Sequence, residues 1–142
     1  MARITHIALR VDDIEATSRF YETVFGFRHV KTVKRPGKRG DHISRHLTDG
    51  ATDLSLLQYE SDSADEADLS GPPPCIHHFG IEVEDLESYA AALKKAGAEI
   101  VSAPGKLPIK FRAPGGPIAE IVPIGRYQEK TLADGTHGPV VE

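Results

Sequence analysis

Two histidines occupy the same position in two copies of one sequence pattern. His6 lies in the copy at residues 4–13 and His78 in the copy at residues 76–85, where isoleucine, histidine, valine and a final aspartate recur in register. An internal repeat of this kind indicates two similar structural units. If the two units associate about a pseudo-twofold axis, both imidazoles meet at one point, where they could hold a metal ion.

A carboxylate lies at the end of the second copy. Glu120 stands within the apolar run Ile118–Pro123, where a charged group is costly unless it is paired, hydrogen-bonded or bound to a metal. His6, His78 and Glu120 together match the two-histidine, one-carboxylate set that suits Fe(II) and leaves open coordination positions. The same ligands could hold Mn(II), Ni(II) or Zn(II).

Both copies alternate in polarity with the period of a half-buried strand, and each is followed by a helical pattern. The alternation puts His6 and His78 on the face opposite the helices, beside Ala8 and Gly80, which are small enough to leave room for a ligand. His77 is out of register with His78 and is predicted to face the helix side. Asp13 and Asp85 are predicted to cap the helices, and Gly26 and Gly97 to end them.

Short apolar runs after each helix predict further strands. They lie at Phe27–Lys34, His42–Thr48 and Thr52–Tyr59 in the first copy, and at Glu99–Ser102, Leu107–Arg112 and Ile118–Pro123 after the Cys75–Val83 strand of the second. Each copy therefore reads β-α-β-β-β and could not bury its sheet alone. The predicted fold is α+β, with two such repeats forming a curled mixed sheet around a shared cavity.

The repeat also sets the predicted organisation of the chain. Residues 1–59 form the first half and residues 75–125 the second, while the acidic, proline-rich residues 60–74 link them. Residues 126–142 have little apolar periodicity and are predicted to form a loosely held tail.

Composition excludes several classes of protein. The 142 residues are 39% hydrophobic and 27% charged, which is ordinary for a globular protein. The net charge of −4 argues against general nucleic-acid binding, and no apolar run is long enough to span a membrane. A single cysteine permits no internal disulfide, so the expected location is the cytoplasm.

A basic segment runs from Arg28 to Arg45 and contains seven of the seventeen basic residues. One interpretation is a lid that attracts an anionic substrate. The other is a solvated hairpin, since residues 35–40 have strong turn chemistry and charged residues keep an exposed sheet edge soluble.

The repeated motif His-hydrophobic-small-hydrophobic-x-Val-x-Asp and the ending Ala-Pro-Gly-Gly-Pro-Ile-Ala-Glu-Ile at residues 113–121 resemble the vicinal oxygen chelate superfamily. Members include glyoxalase I, extradiol dioxygenases, methylmalonyl-CoA epimerase, fosfomycin-modifying enzymes and bleomycin-resistance proteins. The resemblance covers residues 3 to about 124. It implies metal ligands on the first and last strands of each half, and three positions match: His6, His78 and Glu120.

The fourth position departs from the family pattern. Ser55 stands opposite Glu120, where glyoxalase I and the epimerase would carry a carboxylate; Asp53 could substitute only if its strand were shifted or bulged. Without that carboxylate the set resembles the dioxygenases and the fosfomycin-type transferases more than the glyoxalase-type lyases and isomerases. The predicted function is therefore a metal-dependent enzyme, with an Fe(II) extradiol-type dioxygenase leading and the lyase, isomerase or transferase as alternatives.

Resemblance to the extradiol enzymes implies further roles. A vicinal diol or enolate would bind the metal through two oxygens, and dioxygen would take an open position. A histidine acid/base and a tyrosine near the metal are expected, for which His46 and Tyr127 are the candidates; each could instead be a solvated strand edge or a tail anchor. Ser55, Lys110 and Arg112 are the predicted substrate-binding residues, the two cations meeting a substrate carboxylate unless they are simply exposed.

The main rival is a metal-free protein of the bleomycin-resistance kind that sequesters a small molecule. Retention of both histidines and Glu120 favours the enzyme. In either case the expected ligand is a small molecule, and the resemblance suggests a homodimer, with the two histidines meeting either within one chain or across two.

Overall fold

The computed structural model describes residues 2–126 and the backbone of residues 140–141. They form one mixed sheet with two α-helices on it. The strands are β1 (Arg3–Arg10), β2 (Arg28–Arg35), β3 (His42–Thr48), β4 (Asp53–Tyr59), β5 (Cys75–Val83), β6 (Glu99–Ile100), β7 (Ile109–Arg112), β8 (Ile118–Pro123) and β9 (Val140–Val141). The helices are α1 (Ile14–Phe25) and α2 (Leu86–Lys95), and Ala67–Leu69 forms a short 3₁₀ turn.

Strand order confirms the predicted repeat. The sheet runs β6-β7-β8-β5-β1-β4-β3-β2-β9, so β1 and β5 lie side by side at its centre. β1 pairs in parallel with β4, and β5 pairs in parallel with β8, whereas β1 and β5 are antiparallel. Each half is a β-α-β-β-β unit, and the antiparallel pair joins them, giving the expected α+β fold.

The two helices begin where the repeated aspartates lie. The Asp13 side chain accepts hydrogen bonds from the backbone N–H groups of Glu15 and Ala16, and the Asp85 side chain accepts one from Ser88. α1 ends at Gly26, whose φ of 70° is left-handed. These caps satisfy N–H groups that have no partner within a helix, so the repeated aspartate fixes where each helix starts.

Each helix covers its own apolar cluster on one face of the sheet. In the first half the buried residues are Val11, Ile14, Leu47 and Leu56; in the second they are Val83, Phe111, Ala119 and Ile121. The opposite face carries the polar side chains of the strands, including both repeated histidines. Two separate cores on one side thus leave the other side available for a site.

Several elements differ from the sequence prediction. β6 is only two residues long, and β7 begins at Ile109 rather than at Leu107, because Pro108 has no N–H to donate to the ladder. Val140 and Val141 belong to the predicted tail, yet their backbone pairs in parallel with β2 as β9. Within the described ranges, neither helix has the length and apolarity required to cross a bilayer.

Residues 60–74 pack against the sheet. Ala64 and Ala67 are fully buried, and the side chain of Arg10 donates to the backbone carbonyls of Ala67 and Gly71. The same guanidinium lies 2.7 Å from an Asp62 carboxylate oxygen. This segment therefore lies beside the polar face of the sheet, where the candidate site is found.

Candidate metal centre

The central strand pair brings the repeated histidines together. In the antiparallel register of β1 and β5, His6 lies opposite Gly80 and His78 lies opposite Ala8. The imidazole rings stand edge to face, with centroids 5.4 Å apart. The pseudo-twofold axis between the strands thus places both rings over the centre of the sheet, within one chain.

Gly80 is required by the ring of His6. A Cβ atom built on Gly80 would lie 1.7 Å from Cε1 of His6, far inside any permitted contact. The sequence suggested that this small residue leaves room for a ligand. The space is instead filled by the His6 side chain, so Gly80 positions that histidine.

Glu120 completes the cluster from β8, whose parallel register places it beside Gly80. Its Oε1 atom lies 2.6 Å from Nε2 of His6 and 3.5 Å from Nε2 of His78. His6 and Glu120 are each 1% exposed and His78 is 8% exposed. Burial tends to raise the pKa of Glu120, but hydrogen bonds to His6 and His78 and the charge of Lys110 outweigh it and hold that pKa well below its ordinary value.

These three side chains fit a divalent metal. One donor atom from each of His6, His78 and Glu120 lies within 4.8 Å of the others, and the donors are two imidazole nitrogens and a carboxylate oxygen. A charged carboxylate buried between two imidazoles is the kind of donor set that Fe(II), Mn(II), Ni(II) and Zn(II) accept. Among the described residues this is the group whose donors converge in this way.

The fourth position holds Ser55. Ser55 lies beside Ala8 in the parallel β1–β4 register, just as Glu120 lies beside Gly80 in the β5–β8 register. Its hydroxyl donates to Asp53 at 3.0 Å and lies 3.0 Å from Nδ1 of His46. Asp53 is fully buried, and its carboxylate oxygens lie 3.0 and 3.1 Å from the same His46 nitrogen. The structure thus brings Asp53 and Ser55 to His46, and Asp53 is not one of the converging donors.

His46 is 4% exposed, so it is not a solvated strand edge. A carboxylate only accepts hydrogen bonds, so Asp53 places the proton of neutral His46 on Nδ1. The other nitrogen, Nε2, lies 3.0 Å from the hydroxyl of Ser44 and can accept its proton. The sequence analysis missed Ser44, although its position two residues before His46 on a strand put both side chains on one face.

His77 corrects a prediction. It was expected on the helix side, but its Nδ1 atom lies 2.7 Å from Nδ1 of His78. The register explains this: Leu9 pairs with Ile76 and Ala8 with His78, so His77 is an extra residue in a β-bulge. Burial lowers the pKa of His77 to about 4. A bulge breaks the period-two alternation from which the prediction was made.

Of the other predicted site residues, Lys110 contacts this centre, whereas Arg112 contacts the linker. Lys110 is the cross-strand neighbour of Glu120; its Nζ atom lies 3.1 Å from Oε2 of Glu120 and 3.4 Å from Glu66. Arg112 donates to the backbone carbonyl of Leu69 at 3.3 Å. Tyr127 lies outside the described residues.

A cavity of about 300 Å³ opens over the cluster and is lined by both halves. His6, His78 and Glu120 share it with Ser44, His46 and Ser55, and the basic side chains around it are Arg35, Lys106, Lys110 and Arg126. Of the basic segment, Arg35 reaches this cavity, whereas Arg39 pairs with Asp65 at 2.8 Å and Arg45 with Glu15 at 2.8 Å. The segment is therefore partly cavity wall and partly ordinary surface ion pairs.

Comparisons with known proteins agree with the architecture described above. The family model for the glyoxalase/bleomycin resistance protein/dioxygenase superfamily matches residues 3–114. An ethylmalonyl-CoA/methylmalonyl-CoA epimerase from Cereibacter sphaeroides is 29% identical over 127 residues, covering 87% of this chain and 90% of the relative. Virulence protein STM3117 from Salmonella typhimurium is 32% identical, covering 84% of this chain and 82% of that protein. The crystal structure of hypothetical protein BH1468 from Bacillus halodurans superposes with a TM-score of 0.72 at 20% identity, covering 86% of this chain and 94% of that one.

Proposed function

Since the chain belongs to the glyoxalase/bleomycin resistance protein/dioxygenase superfamily, we propose that it is a metal-dependent enzyme for a small anionic substrate that presents two neighbouring oxygen atoms. The observation that carries the proposal is the convergence of His6, His78 and Glu120 within 4.8 Å at the base of a cavity. A metal-free binding protein would have no need to bury a carboxylate between two imidazoles.

The leading reaction is Fe(II)-dependent dioxygenation of the extradiol type. It is supported by the ligand set, since two histidines and one carboxylate leave positions open on the metal, and by Ser55, which stands where a fourth carboxylate would close one of them. Bound Fe(II) would supply a binding point for two substrate oxygens and for dioxygen.

The remaining cavity residues would bind the substrate and move its proton. His46 lines the cavity, and Asp53 holds its proton on Nδ1, so that Nε2, which lies 3.0 Å from the Ser44 hydroxyl, can take a proton from a substrate hydroxyl and return it later. The cavity lining has four basic side chains, from Arg35, Lys106, Lys110 and Arg126, against three carboxylates, from Asp65, Glu66 and Glu120. This small excess of positive charge, to which a bound dication would add, favours an anionic substrate. Ala8 and Ser55 also line the cavity, and their small side chains leave space for the substrate.

A second candidate is an isomerase or epimerase that moves a carbon-bound proton. It is supported by the buried His46–Asp53 pair, which is a general base suited to that step, and by similarity to the Cereibacter epimerase. Against it stands Ser55, because this site then has one base where a two-sided proton transfer calls for a second.

The first experiment is anaerobic titration of the protein with Fe(II), Mn(II), Ni(II) and Zn(II). We expect one metal per chain in the wild type, loss of binding in His6→Ala, His78→Ala and Glu120→Ala, and retention in Ser55→Ala and Asp53→Asn. If Asp53→Asn also lost the metal, the four-ligand isomerase would become the leading candidate. No metal in any form would leave the small-molecule binding protein.

The Fe(II)-loaded protein would then be given two assays. Oxygen uptake with a panel of catechols tests dioxygenation, and exchange of the carbon-bound hydrogen of methylmalonyl-CoA with D₂O tests proton transfer. His46→Gln, which keeps all three ligands, should abolish either activity without loss of metal. Light scattering on the same samples tests the proposed homodimer.

A further inference from the structure

A serine, a histidine and an aspartate are hydrogen-bonded in a row on the β3–β4 hairpin. Oγ of Ser44 lies 3.0 Å from Nε2 of His46, and Nδ1 of His46 lies 3.0 and 3.1 Å from the two carboxylate oxygens of Asp53. All three residues are buried. The metal-dependent reaction proposed above uses His46 as a base and gives the Ser44 hydroxyl no role.

We propose that Ser44 is a catalytic nucleophile, activated by His46 and Asp53, for the hydrolysis of small esters without a metal ion. This is the arrangement of groups that activates serine in hydrolases of unrelated folds, where it is identified by geometry rather than by sequence position. The inference goes beyond the proposed function, because it requires none of the three metal ligands.

The contacts of two serines with His46 show why Ser44 is the nucleophile. Ser44 lies against Nε2, which has a free lone pair because Asp53 holds the proton of neutral His46 on Nδ1, so Ser44 donates its proton to His46. Ser55 lies 3.0 Å from Nδ1, the nitrogen that carries the proton, and donates its own hydrogen to Asp53. Ser44 can therefore lose its proton to His46, whereas Ser55 cannot.

The hairpin fixes this geometry. Ser44 and His46 are two residues apart on β3, so their side chains leave the strand on the same face. Thr48 pairs with Asp53 across the hairpin, which brings the carboxylate to the far side of the His46 ring. The turn between the strands is closed by Asp49, whose carboxylate accepts from two backbone N–H groups at 2.8 and 2.7 Å. The nucleophile, the base and its orienting carboxylate thus lie on one rigid element.

A substrate can reach the hydroxyl, because Ser44 and His46 both line the cavity of about 300 Å³. That volume suits a small molecule. By contrast, Ser18 is a buried serine whose hydroxyl donates to Glu22 on α1, outside the cavity lining. Arg35 and the other basic side chains of the cavity are the candidates for stabilising the negative oxygen that forms when the ester is attacked.

The reaction balances with water as the second substrate. Oγ of Ser44 attacks the carbonyl carbon of the ester as its proton passes to Nε2 of His46. The bond from that carbon to the alcohol oxygen then breaks, and the leaving alcohol takes the proton from Nε2. A water molecule attacks the acyl-serine in the same way, giving its proton to Nε2, which returns it to Oγ as the carboxylic acid leaves.

The test uses protein treated with EDTA and two probes, diisopropyl fluorophosphate and p-nitrophenyl acetate. Mass spectrometry of the wild type should find one diisopropylphosphoryl group per chain, on Ser44. Ser44→Ala should lose the label and most of the p-nitrophenyl acetate hydrolysis, and His46→Gln should slow labelling about 100-fold or more. Ser18→Ala is the matched control and should react as the wild type does.

The role of Asp53 is to orient His46, so it needs a separate measurement. In ¹⁵N NMR of the EDTA-treated wild type, His46 should be protonated on Nδ1. Asp53→Asn, whose amide can donate to Nδ1, should shift His46 towards the other tautomer and slow labelling of Ser44 with it.

Three outcomes would overturn the inference: no label on Ser44 in the wild type, wild-type His46 protonated on Nε2, or p-nitrophenyl acetate hydrolysis by Ser44→Ala at the wild-type rate. If Ser44→Ala does not fold, the position of the label in the wild type and the labelling rate of His46→Gln decide. Failure of the proposed function is distinguishable, because it would appear in the metal titration, whereas labelling is measured with the metal removed.

Discussion

Lys110 and His46 occupy equivalent positions in the two halves. Lys110 on β7 is the cross-strand neighbour of Glu120, and His46 on β3 is the cross-strand neighbour of Ser55. The pseudo-twofold axis that exchanges His6 with His78 also exchanges these pairs. One half thus supplies a carboxylate ligand with a cation beside it, while the other supplies a hydroxyl with a histidine base. The two halves thus share the same backbone arrangement but carry different functional side chains at equivalent positions.

Lys110 is expected to lower the affinity of the site for a metal ion. Its Nζ atom lies 3.1 Å from Oε2 of Glu120 and repels any dication bound at that carboxylate. We expect Lys110→Met to raise Zn²⁺ affinity about tenfold, a modest part of the full interaction between two charges at this range. Calorimetry would measure it, with Lys106→Met as the control, since Lys106 lines the same cavity but is exposed. Equal or weaker binding by Lys110→Met would contradict the prediction.

Gly80 should be essential for the metal although it is not a ligand. Gly80→Ala would place a Cβ atom 1.7 Å from the His6 ring, so that the ring must leave its position. We expect metal affinity to fall by about 100-fold or more, the upper end of what loss of a partner behind a ligand costs. The control is Gly71→Ala, because a Cβ on Gly71 meets nothing within 4 Å. A Gly80→Ala protein that binds metal normally would show that His6 is not a ligand.

The repeat made most of the architecture predictable. Shared register at His6 and His78 placed both on one face, and the position of Glu120 at the end of the second copy placed it beside them, because a strand period of two and a twofold repeat leave few arrangements. The sequence could not reveal the bulge that turns His77 inward, since a bulge is set by pairing between distant strands. Nor could it show that Asp53 binds His46, because that contact depends on the register in which β3 pairs with β4.

The two helix caps should differ in strength although the sequence repeats them. Asp13 accepts from two backbone N–H groups, whereas Asp85 accepts from one. Loss of an N-cap costs about 1 kcal/mol, so we expect Asp13→Ala to lower the free energy of unfolding by about that amount and Asp85→Ala by less. Urea denaturation would measure both, and Asp13→Asn should restore most of the loss. A larger cost at Asp85 than at Asp13 would contradict this account.

Arg10 should hold the linker over the site. It is 4% exposed, and its guanidinium binds two carbonyl oxygens, at Ala67 and Gly71, and the Asp62 carboxylate. Arg10→Met would leave these acceptors without their donor and should lower the free energy of unfolding by about 2–4 kcal/mol. Because these contacts hold the linker against the sheet, the same variant should expose residues 60–74 to limited proteolysis. Arg3→Met is the control. The Arg3 side chain is 74% exposed and its ion pair with Glu82 is long, at 3.9 Å, so its loss should change the free energy of unfolding by less than about 0.5 kcal/mol. If Arg10→Met were as resistant to protease as Arg3→Met, the linker would be held by its buried alanines alone.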